Sequence, residues 1–169
     1  YGGGVFHRDC ANRIFNKGPD WDEEQEKYSV LRVAIYLTDF KKTKSSLIVV
    51  PGTHKKQSKL TSAEIKFNNF IRSKLRKLKL DRLYPHFLIS KKLVKIKTNP
   101  GDLIIFDQRL LHAGGNTTSY FMPKYSIFLG YGKRNNHTLN HENFYKLREG
   151  YKKPIPEKLK ILLNNNKLL

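Results

Sequence analysis

VLRVAIYLTDFKKTKSSLIVVPG, residues 30–52, holds two apolar runs of strand length on either side of a basic turn. Residues 30–40 are rich in β-branched and aromatic side chains, which suit a pleated, half-buried surface. Residues 47–50 form a short apolar run that stops at Pro51-Gly52, a turn signal. Both runs read as strands, and the short KKTKSS turn predicts that they pair as a hairpin. The pattern continues outward on both sides. Residues 4–9 read as a strand, and residues 12–27 as a loop that contains Gly18-Pro19 and the acidic stretch 20–26. Residues 93–97 alternate apolar and basic, NPGD (99–102) is a turn with Asp102 serving it, and LIIFD (103–107) reads as a buried strand. HAGGNTTS (112–119) is a glycine-containing loop, with Asn116 expected to hold it, and YSIFLGY (125–131) is expected to be the last core strand.

One segment changes period. Over residues 61–80, Ile65, Phe70, Ile71, Leu75 and Leu78 fall roughly on one helical face, with Lys and Arg on the other. Thr61 followed by Glu64 fits a capping box at its start. This helix lies in an insertion, residues 55–97, expected to act as a lid. Residues 133–169 read as a basic, polar tail with a short helix over 157–163. His137 and His141 are four apart, but Asn135, Asn136 and Asn140 argue against a helix that would pair them, so no zinc protease is expected. Many short strands with one inserted helix predict a single, mainly β domain over residues 1–169. The expected architecture is an antiparallel jelly roll rather than a parallel α/β sheet.

The chain has 169 residues, with 33 Lys+Arg against 14 Asp+Glu and a formal charge of +19. Such a surface suits a polyanion. The basic residues are scattered and belong to no recognisable nucleic-acid module, so nucleic acid is not the favoured partner. Cys10 is the only cysteine, which excludes an internal disulfide and a Cys-rich zinc site. It reads as a packed small hydrophobe, and a reducing cytoplasm is the expected compartment. No apolar run has the length of a membrane span, and residues 1–15 are not a signal peptide. The chain opens on YGGGVF, which reads like the middle of a domain, so N-terminal elements are expected to be missing. Nothing in the sequence indicates an oligomeric state.

GVFHRDC (4–10) brings the chemistry. On a strand, His7 and Asp9 point to one face and Arg8 to the other. His112 follows a turn and an apolar strand and opens the glycine loop. Two imidazoles and one carboxylate make a facial triad, which leaves other positions of a metal open. Fe(II) held this way can bind a 2-oxo acid and O2. A 2-oxo diacid also needs a cation for its far carboxylate. Lys124 is the candidate, and Ser126, two residues on, faces the same side. His54 is expected to fix the PGTH turn rather than to act as a fourth ligand. Arg32 and Tyr36 share a strand face that could look into the barrel. Asp107 and Arg109 are candidates for an ion pair that orients His112.

His7-Arg8-Asp9, LRVAIYLTDF, LIVVPGTHK, PGDLIIFDQRLLHAGGN and PKYSIFLGYG, in that order, resemble the phytanoyl-CoA dioxygenase-like family over residues 5–132. These are Fe(II)- and 2-oxoglutarate-dependent oxygenases with a cupin-like double-stranded β-helix fold. The resemblance implies iron on His7, Asp9 and His112, with 2-oxoglutarate as cosubstrate and its distal carboxylate on Lys124. O2 is the oxidant, and ascorbate is a candidate reductant. Three departures stand out. The family's usual arginine is replaced by Lys124, which offers a point charge instead of a two-pronged grip. Ser45-Ser46 stands where the family often has glycine. The strands and helices that precede the His-x-Asp strand in the family are expected to be missing. The expected function is hydroxylation of an unactivated C–H bond in a small, anionic organic molecule. Asp9 argues against halogenation, since its carboxylate occupies the position a halide would need. The alternative is a weak or inactive cupin-like module that binds a polyanion through its basic surface.

Overall fold

The computed structural model describes residues 4–116, 123–147 and 157–165. Two three-stranded antiparallel sheets carry the fold. In the first, β1 (Leu31–Tyr36) lies between β4 (Leu103–Asp107) and β6 (Ser126–Tyr131). In the second, β2 (Leu47–Val49) lies between β3 (Val94–Ile96) and β5 (His112–Gly114). This is the expected two-layered, mainly β jelly roll.

The predicted hairpin does not form. β1 and β2 belong to different sheets, and the link between them contains a one-turn helix, α1 (Phe40–Thr43). Asp39 caps α1 by accepting from the Lys41 backbone N–H, and Lys44 leaves it with φ near +55°. The turned chain crosses the sandwich instead of doubling back. Leu47 and Val49 then face Ala34, Tyr36 and Phe106 across the core. The alternate residues Ile48 and Val50 point the other way, into a second cluster with Phe6, Leu88, Leu111 and Ala113.

Residues 4–9 are extended but make only an isolated bridge. His7 and His112 exchange backbone hydrogen bonds of 2.9 and 3.0 Å, and Gly4 donates to the Gly114 carbonyl at 2.8 Å. β4 and β6 are less buried than expected. The register places Leu103, Ile105, Ile127 and Leu129 on the same outer face of the first sheet, and all four stay exposed.

The long helix, α2, spans Lys59–Lys77, two residues earlier than predicted. Ser58 is its N-cap and accepts from the Thr61 N–H. Glu64 is not part of a capping box; it accepts from the backbone N–H groups of Ile89 and Ser90. The buried face only partly matches the predicted one: Ile65 packs against the core and Ile71 and Leu75 are half-buried. Thr61, Asn68 and Arg72 are buried, whereas Phe70 and Leu78 are exposed. Polar residues can face inward here because partners await them. Arg72 donates to the Tyr84 carbonyl and to Asn116 Oδ1, and Asn69 exchanges two hydrogen bonds with the backbone of Phe6.

Residues 133–169 are more than a basic tail. α3 (Asn136–Lys146) forms despite its asparagines, because Asn135 lies just outside it and caps it by accepting from the Thr138 N–H. It packs against the 3-10 turn Pro19–Trp21 of the acidic loop. α4 (Glu157–Asn165) covers the predicted terminal helix. No helix among the described residues is long and apolar enough to cross a membrane.

Candidate metal centre

β5 delivers His112. Its strand is central to the packing, with Val49 opposite it on β2 and His7 opposite it on the other side. The segment that carries His7 and Asp9 is held in place from three directions. Its backbone bonds to β5 and to the Gln108 carbonyl, Asn69 of α2 grips Phe6, and His86 of the insertion bonds to the Gly4 carbonyl at 2.6 Å. Arg8 points away from the site, as predicted for alternation, and is buried. It bonds to the carbonyls of Arg109 and Thr53, and its guanidinium, like that of Arg109, lies 5.5 Å from the centroid of the Trp21 ring.

His7, Asp9 and His112 come together with one potential ligand atom each, all within 4.8 Å of one another. His7 Nε2 lies 3.7 Å from Asp9 Oδ1, and His112 Nε2 lies 3.7 Å from Asp9 Oδ2. These distances are too long for hydrogen bonds. They match donors that share one ion, which stand roughly 3–4 Å apart when each bond is about 2.1 Å. The tautomers agree. His7 Nδ1 lies 2.8 Å from the Val5 carbonyl and His112 Nδ1 lies 2.9 Å from the Leu110 carbonyl. A carbonyl only accepts, so each Nδ1 carries the proton and each Nε2 presents a lone pair to the centre. A divalent cation with nitrogen and oxygen preferences, iron included, fits this donor set.

Electrostatics favour the binding-competent protonation states. Burial pushes His112 down to about 4, with His7 adding to the shift, so it is a neutral imidazole near pH 7. Burial alone would raise the Asp9 carboxyl, but the surrounding basic groups His112, Arg32 and His7 outweigh it and its pKa is lowered. Arg32 is a permanent positive charge beside Asp9 and donates to Oδ2 at 2.8 Å.

Lys124 and Ser126 are half-buried and both adjoin Tyr36. Lys124 Nζ lies over the Tyr36 ring, 4.8 Å from its centroid, and 3.4 Å from both Ser45 oxygens. Ser126 is directly opposite Tyr36 in the β1–β6 register. Lys124 takes part in none of the ion pairs found among the described residues, and burial lowers its pKa.

Other candidates resolve differently. Asp107 and Arg109 do pair, at 2.9 Å, but they do not orient His112. Arg109 also pairs with Glu23 and bonds to the Asp20 carbonyl, so the cluster anchors the acidic loop. His54 is outside the triad. His137 and His141 lie one turn apart on α3, yet no triad of possible ligands among the described residues includes them. Asn116 ties its loop to the insertion through the carbonyls of Arg82 and Tyr84. Cys10 is fully buried, and burial pushes its thiol up to about 12, as suits a packing role. Tyr145 was not foreseen; its hydroxyl accepts from Arg32. The capping asparagine at 135 was the available signal for the helix that carries it.

Comparison with known proteins places the chain. No curated protein matches its sequence. Among solved structures, EvdMO1 matches with a TM-score of 0.50 and 20% identity, over 79% of this chain and 24% of that protein. AviO1 from Streptomyces viridochromogenes Tue57 matches with a TM-score of 0.47 and 18% identity, over 79% and 44%. HygX from Streptomyces hygroscopicus, crystallised with nickel, 2-oxoglutarate and hygromycin B bound, matches with a TM-score of 0.44 and 17% identity, over 79% and 49%. The chain thus spans less than half the length of each of these three proteins, and the likeness to EvdMO1 concerns the fold. A family model described as phytanoyl-CoA dioxygenase matches residues 2–123, which include His7, Asp9 and His112. With the match covering most of its 169 residues, the chain belongs to the phytanoyl-CoA dioxygenase family.

Proposed function

We propose that this chain is the core of an Fe(II)- and 2-oxoglutarate-dependent dioxygenase that hydroxylates an unactivated C–H bond of a small organic molecule. The observation that carries the reading is the convergence of His7 Nε2, His112 Nε2 and an Asp9 oxygen, with both imidazole tautomers fixed by backbone carbonyls. Bound there, iron would supply the coupling of 2-oxoglutarate decarboxylation to oxidation: substrate C–H, O2 and 2-oxoglutarate give substrate C–OH, succinate and CO2. His7, Asp9 and His112 would hold the ion and, as three ligands, would leave other positions open to exchangeable ligands. Arg32 keeps Asp9 ionised and fixed.

Lys124 is the group proposed to receive the distal carboxylate of the cosubstrate, with Ser126 as a neighbouring hydroxyl donor. Its half-buried ammonium has carbonyl, hydroxyl and aromatic contacts. A carboxylate would give it a charge-assisted partner. The net charge of +19 supports an anionic substrate class. The insertion, residues 55–97, supplies surface for substrate choice.

The test is succinate release from 2-oxoglutarate on addition of Fe(II), O2 and ascorbate, with Asp9→Ala as control. Succinate from the parent protein and none from the variant is the expected result. The proposal is overturned if the parent binds Fe(II) and 2-oxoglutarate no better than the variant. Lys124→Ala is expected to raise the apparent KM for 2-oxoglutarate about 10- to 100-fold, the loss of a hydrogen bond between charged groups.

A further inference from the structure

Asp9 has partners that a metal ion would not replace. Arg32 projects from the inner face of β1, is 8% exposed, and donates its Nε–H to Asp9 Oδ2 at 2.8 Å. Its NH2 donates to the Tyr145 hydroxyl, also at 2.8 Å, and the guanidinium lies 5.9 Å from the centroid of the Tyr145 ring. Tyr145 stands on α3, 113 residues further along the chain. α3 is seated by contacts of its own. His137 bonds to the Glu26 carbonyl at 3.0 Å, and Asn140 Nδ2 donates to the buried Asp20 at 3.1 Å. The strand residue opposite Arg32 on β6 is Gly130. A Cβ at that position would lie 3.3 Å from Gln108 Nε2 and 4.0 Å from His141 Nε2, so the glycine leaves the space into which α3 packs.

We propose that Arg32 and Tyr145 are positioning residues for the metal centre, and that through them α3 senses and supports metal occupancy. This rests on the reading of His7, Asp9 and His112 as the ligands. A carboxylate is free to rotate about its Cβ–Cγ bond unless one oxygen is held. With Oδ2 held by Arg32, Oδ1 stays on the His7 side, 3.7 Å from Nε2. The Tyr145 hydroxyl holds the other prong of the same planar fork, so the guanidinium cannot swing away from Asp9. Two effects oppose each other here. The charge of Arg32 repels an incoming cation, and its grip preorganises the carboxylate that receives it. The proposal is that the grip dominates, so the sign of the change in metal affinity decides the matter.

The experiment is calorimetric titration of the whole chain with Co(II) alone, on the parent, Arg32→Met, Arg32→Lys, Tyr145→Phe and His112→Ala. Arg32→Met is expected to weaken binding about 10- to 100-fold, as removal of groups that orient metal ligands generally does. Tyr145→Phe, which deletes one hydroxyl, is expected to weaken it about three- to tenfold. Arg32→Lys should fall between the parent and Arg32→Met, since one ammonium cannot reproduce the two-pronged grip. Amide exchange over residues 136–146 is expected to slow on Co(II) addition in the parent and to respond less in Tyr145→Phe, a readout that simple loss of stability would not produce. Binding as tight as the parent or tighter in both Arg32→Met and Tyr145→Phe overturns the proposal. If Arg32→Met fails to fold, Tyr145→Phe decides alone. A parent that binds no better than His112→Ala overturns the metal reading itself, and the positioning proposal falls with it.

Discussion

The two sheets are built from similar residues and live in different surroundings. The sheet of β2, β3 and β5 is covered on both sides around β2. Leu47 and Val49 face the other sheet, and Ile48 and Val50 face Leu88 and Phe6. The sheet of β1, β4 and β6 buries Ala34, Tyr36 and Phe106 on its inner side and leaves Leu103, Ile105, Ile127 and Leu129 exposed on the outer. The candidate site straddles this difference. His112 rises from the covered sheet, and Arg32 reaches in from the half-open one. The lesson is one of division of labour. One candidate ligand, His112, is carried by the layer whose surroundings hold it from both sides, and the layer with a bare face contributes Arg32, which bonds to a second, Asp9.

The comparison can be broken by substitution, and the largest effect belongs to the candidate ligand His112. His112→Ala is expected to abolish measurable metal uptake, read by metal analysis after dialysis, because only two donors remain. Next comes the core beneath it. Leu111→Ala, at a site 1% exposed in the covered cluster, is expected to destabilise the protein by about 2–5 kcal/mol in denaturant unfolding. Acid should then expose the buried imidazoles. His86 and His112 are both pushed down to about 4, each first by burial, against an ordinary value of 6.5. Between those pH values the unfolded chain binds more protons than the folded one, so stability rises with pH there. The metal-free protein should therefore lose stability as pH falls from about 6.5 towards 4, on the order of 1–3 kcal/mol for each imidazole, read as a falling melting temperature. A flat melting profile across that window would contradict the burial described. The smallest effect belongs to the bare face. Ile105→Thr, more than half exposed on the outer side of β4, is expected to change stability by no more than about 0.5 kcal/mol. A loss of several kcal/mol there would show that the two faces are not different after all.

Much of this was legible in the sequence. β-Branched runs announced the strands, and the turn residues Pro51-Gly52 and NPGD marked where they stop. What composition could not say was which strand pairs with which. The run over 30–52 looks like a hairpin because pairing is a property of space, and the Asp39-capped turn of α1 redirects the chain. The buried face of α2 was legible only in part for a related reason. Periodicity counts apolar residues, but Asn69 and Arg72 turn inward because backbone carbonyls and an amide wait for them. The triad was readable because a two-residue spacing and a histidine after an apolar strand are local facts. Arg32 stood out as a charge within an apolar strand. Tyr145 did not, since its helix depends on a cap that outweighs poor intrinsic propensity.

The reciprocal pair of hydrogen bonds between Asn69 and Phe6, with His86 bonding to Gly4, has a consequence for anyone who would re-engineer the insertion. Residues 55–97 look like a removable appendage that could be exchanged. They are instead the hook from which the peptide bearing two of the three donors hangs. A chimaera that swaps this segment without keeping an amide at 69 and an imidazole at 86 would be expected to shift His7 and Asp9 as well.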